Sequence, residues 1–277
     1  MVINAPRELL KALNISVIGK LTENISDIFI PIKNRKGIVE AVVVAVPYLR
    51  EYDLKLTISI QSFNKRIEEL QKATCQLYNN LANEAIKQFS NIPLFAMGHF
   101  MGIGSTISDS ERELQIGNLS ALEIDKLTEG FDYLALGHIH RPQQLKSSVP
   151  AVYSGAPISL SFSEFDDKKV VRLIEVDNSK ISNIVSLEIP KFRKLERIKG
   201  SFEEISMKLE TLESNDYQLQ TLIELEFVEK KINPILNDQI QNLIDNWQAP
   251  DSKIVKYRIS YTDTSNLTEQ WIDDTVK

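Results

Sequence analysis

The sequence has little of what secreted and membrane proteins depend on. Cys75 is its only cysteine among 277 residues, so the chain cannot form an internal disulfide, and a reducing compartment, the cytoplasm, is expected. The longest apolar run, at residues 41–47, is far shorter than the roughly 20 residues that a helix needs to cross a bilayer. The amino terminus, MVINAPRELLKALN, mixes charges into an amphipathic pattern that is not typical of a secretory signal.

An excess of positive charge is also missing. The net charge of −6 argues against a protein that coats nucleic acid by bulk electrostatics. One segment differs: residues 191–199, KFRKLERIK, carry five cations against one glutamate. A charge run is usually a solvated face, so DNA contact by this segment is a hypothesis. Its candidate residues are Lys191, Arg193, Lys194 and Arg197.

Histidine is scarce as well, with three in the chain, and all three follow apolar runs. Five of the six residues 131–136 are apolar or aromatic, as in a buried strand. The run ends at Gly137, and His138 and His140 stand immediately beyond it. Side chains two apart on an extended chain point the same way, so both can converge beyond the strand's carboxyl end. His99 follows a second such run, again after a glycine. The pattern predicts a metal site, although a lone Gly-His-x-His is a weak signal and structural histidines are the alternative.

Hydrophobic periodicity in the first 190 residues predicts alternating strands and helices, which is typical of an α/β domain. A short helix is expected at 6–13, a long amphipathic one with Ile67, Leu70, Leu77, Leu81 and Phe89 on its apolar stripe, and a short one at 121–128. The expected strands are 15–18, 28–32, 38–46, 94–99 and 131–138, then 152–158, 170–176 and 181–189 as an antiparallel portion.

The pattern changes at Pro190 to strand, helix, strand, helix, strand. Ser201 and Glu204 predict a capping box at the start of one helix, and Asn233 with Pro234 predicts the start of the next. Residues 217–227 and 255–261 alternate between apolar and polar, as in half-buried strands. The polar tail after Asp263 is expected to be loose.

Three segments taken together resemble a known family. They are GHFMGIGSTISDSERELQIGN around His99, DYLALGHIHRPQ around His138 and His140, and VYSGAPISLSFSE at 152–164. In this order they resemble the SbcD nuclease subunits of SbcCD complexes, which belong to the calcineurin-like metallophosphoesterases. The resemblance implies an α/β fold with an incomplete calcineurin-like phosphoesterase β-sandwich and flanking helices, followed by a small α+β capping domain.

The resemblance also implies domain boundaries. Residues 1–190 would be the C-terminal portion of the nuclease domain, 191–263 the capping domain, and 264–277 a polar tail.

The function that the resemblance implies is an ATP-dependent double-strand DNA exonuclease and single-strand endonuclease. It would hydrolyse phosphodiester bonds in DNA repair, recombination and replication, using two divalent metal ions, usually Mn²⁺. His99 and His138 match the family's ligands to one metal, and His140 matches a ligand to the other. The implied partners are an SbcC-type ATPase, double-stranded DNA ends and hairpins, and a second copy of the chain within a heterotetramer.

The sequence departs from the family pattern in one respect. The remaining metal ligands of that family lie in Asp-x-His, Gly-Asp and Gly-Asn-His motifs, and none of these occurs in the sequence. Residues 1–10, MVINAPRELL, resemble the stretch that follows the Gly-Asn-His motif. The chain is therefore expected to begin part-way through the catalytic domain, to lack the family's catalytic histidine, to leave an unpaired apolar sheet edge, and to be nearly inactive alone.

Two alternatives remain open. The chain could be a non-catalytic module that binds DNA or a partner, as a remnant of such a nuclease. It could also be a phosphoesterase that acts on a non-nucleic substrate, because fold alone does not determine function.

Overall fold

The structure is a computed structural model that describes residues 7–22, 24–54, 62–108, 121–214, 216–231, 233–262 and 272–275. The chain divides into two compact units, Met1–Pro157 with Lys168–Ile189, and Ile158–Asp167 with Pro190–Lys277. Within the described ranges, no helix is both long enough and apolar enough to cross a membrane.

The first unit contains a six-stranded mixed sheet. Its strands are β1 (Phe29–Lys33), β2 (Val39–Ala45), β3 (Leu94–His99), β4 (Tyr133–Gly137), β5 (Gln143–Leu145) and β6 (Ala151–Tyr153), in the spatial order β1-β2-β3-β4-β6-β5. The four inner strands are parallel, and β1 and β5 pair antiparallel at the two edges. Because β3 and β4 are parallel neighbours, their carboxyl ends lie at the same edge of the sheet.

A long helix, α2 (Phe63–Gln88), covers one face of this sheet. A short helix, α1, spans Arg7–Lys11. The stripe of α2 with Leu70, Tyr78 and Leu81 is buried in the core that also holds the inward side chains of the sheet. The amphipathic pattern therefore predicted α2 correctly, and burial of its apolar stripe is what stabilises it. Single 3₁₀ turns lie at Ile25–Ile28, Glu51–Leu54 and Ile124–Lys126.

A β-hairpin packs on the opposite face. Strands β7 (Val170–Asp177) and β8 (Lys180–Glu188) pair antiparallel, as the sequence pattern predicts. Their inward residues include Ile174 and Ile184, which pack against Phe95 and Tyr133 of the large sheet. With both faces covered, β3 and β4 can be nearly continuous apolar runs.

The second unit has a four-stranded sheet and two helices. In chain order they are β9 (Leu195–Gly200), α3 (Phe202–Glu210), β10 (Thr221–Glu229), α4 (Leu236–Asn246), β11 (Ser252–Tyr261) and β12 (Ile272–Thr275), beside a 3₁₀ turn at Phe162–Glu164. The sheet order is β12-β11-β10-β9, with β9, β10 and β11 parallel. The predicted capping box of Ser201 and Glu204 is present at the start of α3.

Three expectations in the first unit are wrong, wholly or in part. Residues 15–18 form no strand; Ile15 is exposed, and no strand pairs with this segment within the described part of the chain. The helix expected at 121–128 is a single 3₁₀ turn at Ile124–Lys126. The strand expected at 152–158 ends at Tyr153, because the next residues turn at Gly155, whose φ is +80°.

In the second unit, helix α4 begins later than predicted. Its first residue is Leu236, and the Asn233 side chain accepts a hydrogen bond from the Ile235 N–H at 3.2 Å, in the turn before the helix. The expectation of a loose tail after Asp263 is also wrong in part, because β12 pairs antiparallel with β11. The pairing of β10 with β11 shifts register between Ile223 and Glu224, so β11 contains one extra residue there. As a result Ile254 is buried, whereas the alternating pattern of the sequence predicted burial of Val255.

The polar face of this sheet carries a ladder of ion pairs that links β9, β10 and β11. Glu224 and Glu226 on β10 are 2% and 6% exposed. Arg197 and Lys256 flank Glu224, whereas Lys199 and Arg258 flank Glu226 at 2.5 and 2.6 Å. Burying two carboxylates this deeply is tolerated because cations on both neighbouring strands compensate their charge.

This ladder predicts a pH-dependent stability. Burial alone would raise the pKa of Glu226, but hydrogen bonds from Lys199 and Arg258 outweigh it and lower the pKa below its ordinary 4.5. The stabilisation is then complete above about pH 4.5 and is lost as the pH falls through the lower folded-state pKa. We expect Glu226→Gln to lower the free energy of unfolding by about 2 kcal/mol at pH 7, with a smaller difference at pH 3.

Tryptophan fluorescence during denaturant unfolding measures these free energies, because Trp247 packs against the core of the second unit. The control is Glu210→Gln, an exposed carboxylate at the end of α3, which should change stability by less than about 0.5 kcal/mol. If Glu226→Gln lowered the free energy of unfolding by the same amount at pH 7 and at pH 3, the stabilising role of the ladder would be contradicted.

Candidate metal centre

The pairing of β3 with β4 places two histidines side by side. His99, the last residue of β3, lies opposite Gly137, the last residue of β4, and His138 follows directly. The ring centroids of His99 and His138 are 5.3 Å apart, with an angle of 70° between the ring planes. The two imidazoles therefore meet at the carboxyl edge of the sheet, where open α/β sheets bind ligands.

Gly137 leaves room for this approach. A Cβ atom at this position would lie 3.0 Å from Nδ1 of His99, closer than ordinary van der Waals contact. Any side chain here would crowd the His99 ring, so the glycine that ends the apolar run makes room for the neighbouring imidazole.

The backbone at His138 is strained. Its φ is +105°, in the left-handed region that favours glycine. Such a conformation costs about 1–3 kcal/mol and persists only where the surrounding structure enforces it. The strained residue is the one whose ring meets His99, so the strain coincides with the candidate site.

Buried tyrosines hold the main chain on both sides of His99. Tyr78 on α2 donates a hydrogen bond from its hydroxyl to the Met97 carbonyl at 2.9 Å. Tyr153 donates to the Phe100 carbonyl at 2.7 Å and accepts from the Gly102 N–H at 2.9 Å. Burial raises the pKa of both phenols, so they remain neutral donors at physiological pH.

The surroundings of His99 favour its neutral form. Partial burial, followed by the proximity of His138 and His140, lowers the pKa of His99 below its ordinary value, although the residue remains accessible to solvent. Tyr48 stands edge-on to the imidazole, with ring centroids 5.7 Å apart. Neutral imidazole is the form that binds metal ions.

The donors fit one part of a metal centre. Metal–nitrogen distances of about 2.1 Å place two imidazoles on one ion with centroids roughly 5 Å apart, close to the separation of His99 and His138. Among the described residues, no three or more histidine, cysteine, aspartate or glutamate side chains form a group that could hold a metal. This part of the chain therefore does not make up a complete two-metal centre.

Several cations of the basic segment, residues 191–199, make contacts within the protein. The Lys191 ammonium donates to the Phe165 carbonyl at 2.8 Å, Lys194 is 2.8 Å from Glu196, and Arg197 belongs to the ladder with Glu224. Arg193 is exposed and makes no hydrogen bond or ion pair with any other residue in the described ranges. These four cations belong to the second unit, whereas the three histidines belong to the first.

Sequence patterns did not reveal the residues that support the histidines. Tyr48 and Tyr78 lie in no motif, and although Tyr153 lies in the VYSGAPISLSFSE segment, that segment does not indicate which groups its hydroxyl binds. For Tyr78, the available signal was its position on the buried stripe of α2, one turn after Thr74.

Because His138 has a positive φ, we expect glycine to be more stable than alanine at this position, the reverse of the usual order. His138→Gly should be more stable than His138→Ala by about 1 kcal/mol, because alanine keeps the steric conflict at positive φ. At His140, which has no positive φ, alanine should be the more stable of the two, as is usual. Chemical denaturation followed by far-ultraviolet circular dichroism gives all four values. The same ranking at both positions would show that His138 is unstrained.

Known proteins resemble both units of the chain. Residues 191–274 match the SbcD_C family, described as the type 5 capsule protein repressor C-terminal domain. The chain is 29% identical over 210 residues to the SbcD subunit of nuclease SbcCD from Escherichia coli K12, covering 75% of this chain and 51% of the relative. The SbcD subunit of Rhodobacter capsulatus is 31% identical over 63% of this chain and 44% of its own length, and that of Staphylococcus epidermidis is 30% identical over 56% and 40%.

The matches cover only part of the relatives. The chain spans about half the length of the Escherichia coli subunit that it matches. The SbcD_C match, at residues 191–274, includes the strands that carry the ion-pair ladder. The chain is therefore SbcD-like: it is related to the SbcD subunits of SbcCD nucleases and carries an SbcD_C domain.

Proposed function

We propose that this chain serves as the SbcD-like subunit of a metal-dependent DNA nuclease. The reaction would be hydrolysis of phosphodiester bonds in double-stranded ends and hairpins, during DNA repair, recombination and replication. The observation that carries the proposal is the meeting of His99 and His138 at the carboxyl ends of two parallel strands. The relationship to the SbcD subunits of SbcCD nucleases supplies the substrate class.

Each histidine has a proposed role. His99 and His138 would bind one divalent metal ion together, because their rings already lie at a compatible distance. His140, which lies close enough to contribute to the lowered pKa of His99, would bind the second. A pair of such ions, Mn²⁺ in the family, supplies charge stabilisation at the attacked phosphate and an activated water.

The chain alone would be nearly inactive. The described residues contribute imidazoles without a carboxylate beside them, and the sequence has none of the Asp-x-His, Gly-Asp or Gly-Asn-His motifs. Two cations close together need anionic ligands to offset their mutual repulsion. A further segment would have to supply those ligands and the catalytic histidine.

The remaining parts would serve DNA and partner binding. Residues 1–190 would form the nuclease portion, and residues 191–263 would form the capping domain, with Arg193 as an exposed cation of its basic segment. The ATP dependence would come from an SbcC-type ATPase, in a heterotetramer with two copies of each subunit. The single cysteine suits the cytoplasm as the location.

A non-catalytic DNA- or partner-binding role is the second candidate, because the described donors do not complete a metal centre. A phosphoesterase with a non-nucleic substrate is a third, and the SbcD_C match at residues 191–274 favours DNA over it.

A nuclease assay distinguishes these roles. We expect no Mn²⁺-dependent cleavage of linear duplex DNA by the chain alone, and cleavage once an upstream segment carrying the three missing motifs is joined to it. In the extended protein, His138→Ala should lower the rate by at least the roughly 10- to 100-fold typical of damaged metal coordination. Lys72→Ala, an exposed position on α2, is the control. Cleavage by the chain alone at the rate of the extended protein would contradict the incomplete site.

DNA binding can be tested separately from cleavage. If the basic segment contacts phosphates, log affinity for duplex DNA should fall with log salt by roughly 0.9 for each phosphate neutralised. Arg193→Ala should reduce this slope by about 1, whereas Lys36→Ala, in the exposed turn between β1 and β2, should leave it unchanged. Fluorescence anisotropy across salt concentrations measures both. A flat response would exclude a DNA-binding role for this chain.

A further inference from the structure

The peptide that follows His140 is held by groups from two distant parts of the chain. Its carbonyl oxygen accepts a hydrogen bond from the Ala156 N–H at 3.0 Å. The same oxygen accepts from the ammonium group of Lys169 at 3.2 Å. Neither donor belongs to the histidine segment, so the tertiary structure determines where this peptide lies.

Lys169 is an unusual lysine because it is buried. It is 3% exposed and lies at the base of the β7–β8 hairpin, where its own carbonyl accepts from the Ile189 N–H at 2.8 Å. Its neighbour Lys168 has the ordinary environment of a surface lysine: the side chain is 79% exposed, and its ion-pair partner, Glu188, is 3.8 Å away. Two adjacent lysines are therefore placed in opposite environments.

Burial of an ammonium group is costly unless polar groups replace its water. A charged donor makes a shorter and stronger hydrogen bond to a carbonyl than a neutral donor does. The contact to His140 is thus part of what compensates the burial. In return, it holds one peptide of the histidine segment at a defined position relative to the hairpin.

The segment that carries Ala156 fits tightly against the same peptide. Gly155 has a φ of +80°, and a Cβ there would lie 2.6 Å from the His140 carbonyl oxygen and 2.9 Å from the Pro142 nitrogen. The carbonyl is therefore enclosed by main chain on one side and by the Lys169 ammonium. It has little freedom to move while both contacts remain.

We propose that Lys169 is a positioning residue for the histidine segment, acting through the His140 carbonyl and not through any contact with a metal ion or substrate. By fixing this peptide, it holds the backbone of His138 and His140 in the orientation in which their rings can bind a divalent cation. The second part of this statement rests on the proposed function, whereas the first concerns the metal-free protein alone.

The presence of only three histidines makes the proposal directly measurable. Protein labelled with ¹³C and ¹⁵N in histidine alone gives three backbone amide signals and three imidazole spin systems. The variants are Lys169→Met, which keeps the length of the side chain without its charge, and Lys169→Arg, which restores a cation. Lys168→Met is the matched control at the adjacent position.

In the metal-free protein, Lys169→Met should shift the signals of His140 and His138, while Lys168→Met leaves them at their wild-type positions. With added Mn²⁺, the concentration that broadens the imidazole signals should rise about 10-fold or more in Lys169→Met, as for other partners that orient metal ligands. Lys169→Arg should recover most of this affinity. A residue that only stabilised the fold would lower the unfolding midpoint without this selective change at the histidines.

The outcomes separate the two claims. If the histidine signals of folded, metal-free Lys169→Met stayed at their wild-type positions, the positioning role would be overturned. If Mn²⁺ broadened no imidazole in the wild-type protein, the proposed metal site would fail, while the metal-free spectra would still decide whether Lys169 positions the segment.

A measurement on the wild-type protein covers the case in which Lys169→Met does not fold. With ¹⁵N-lysine and carbonyl-labelled histidine, the Lys169 ammonium should give a slowly exchanging signal that correlates with the His140 carbonyl across their hydrogen bond. If the spectrum detected a slowly exchanging lysine ammonium that showed no correlation with the His140 carbonyl, the proposal would be overturned.

Discussion

The register between β3 and β4 is the constraint on which the candidate site depends. It sets Gly98 opposite Leu136 and His99 opposite Gly137, so that one strand ends in an imidazole where its neighbour ends in a residue without a side chain. A shift of one residue would move every side chain of one strand to the other face of the sheet and separate His99 from His138. Apolar burial on both faces, by α2 and by the β7–β8 hairpin, enforces the register.

Hydrogen bonds from buried side chains hold the main chain around the histidines. Tyr78, Tyr153 and Lys169 reach it from three different elements, and each binds a main-chain oxygen in or near a histidine segment. His138 itself has a backbone conformation that an isolated chain would avoid. A fold that sustains a strained residue and a buried cation at one place departs there from the most stable arrangement, which is typical of functional sites.

Much of the architecture could be predicted because burial leaves a strong periodic signal. The stripe of α2, the apolar runs of β3 and β4, and the capping box of α3 were all visible in the sequence. The failures occurred where tertiary contacts decide. Residues 15–18 have strand composition but no strand to pair with in the described part of the chain, and the bulge in β11 moves Val255 out of the core in favour of Ile254. Strand β12 was not predicted because its sequence, IDDT, is mostly polar, and it forms a strand by pairing with β11.

The site was predictable only in part for the same reason. Three histidines after glycine-terminated runs suggested that the rings meet, and His99 and His138 do lie together. The strain at His138 and the burial of Lys169 leave no trace in the sequence, where Lys168 and Lys169 look alike. In the basic segment, Arg197 looked as accessible as Arg193, yet it pairs with a glutamate that lies 27 positions further along the chain.

The central claim is that His99 and His138 are ligands to the same metal ion. Crystals of the chain soaked in Mn²⁺ and measured at the manganese absorption edge test it most directly. The account predicts one anomalous peak in contact with imidazole nitrogens of both residues. A well-ordered edge with both rings visible and no peak between them, or a peak only at surface carboxylates, would contradict the account.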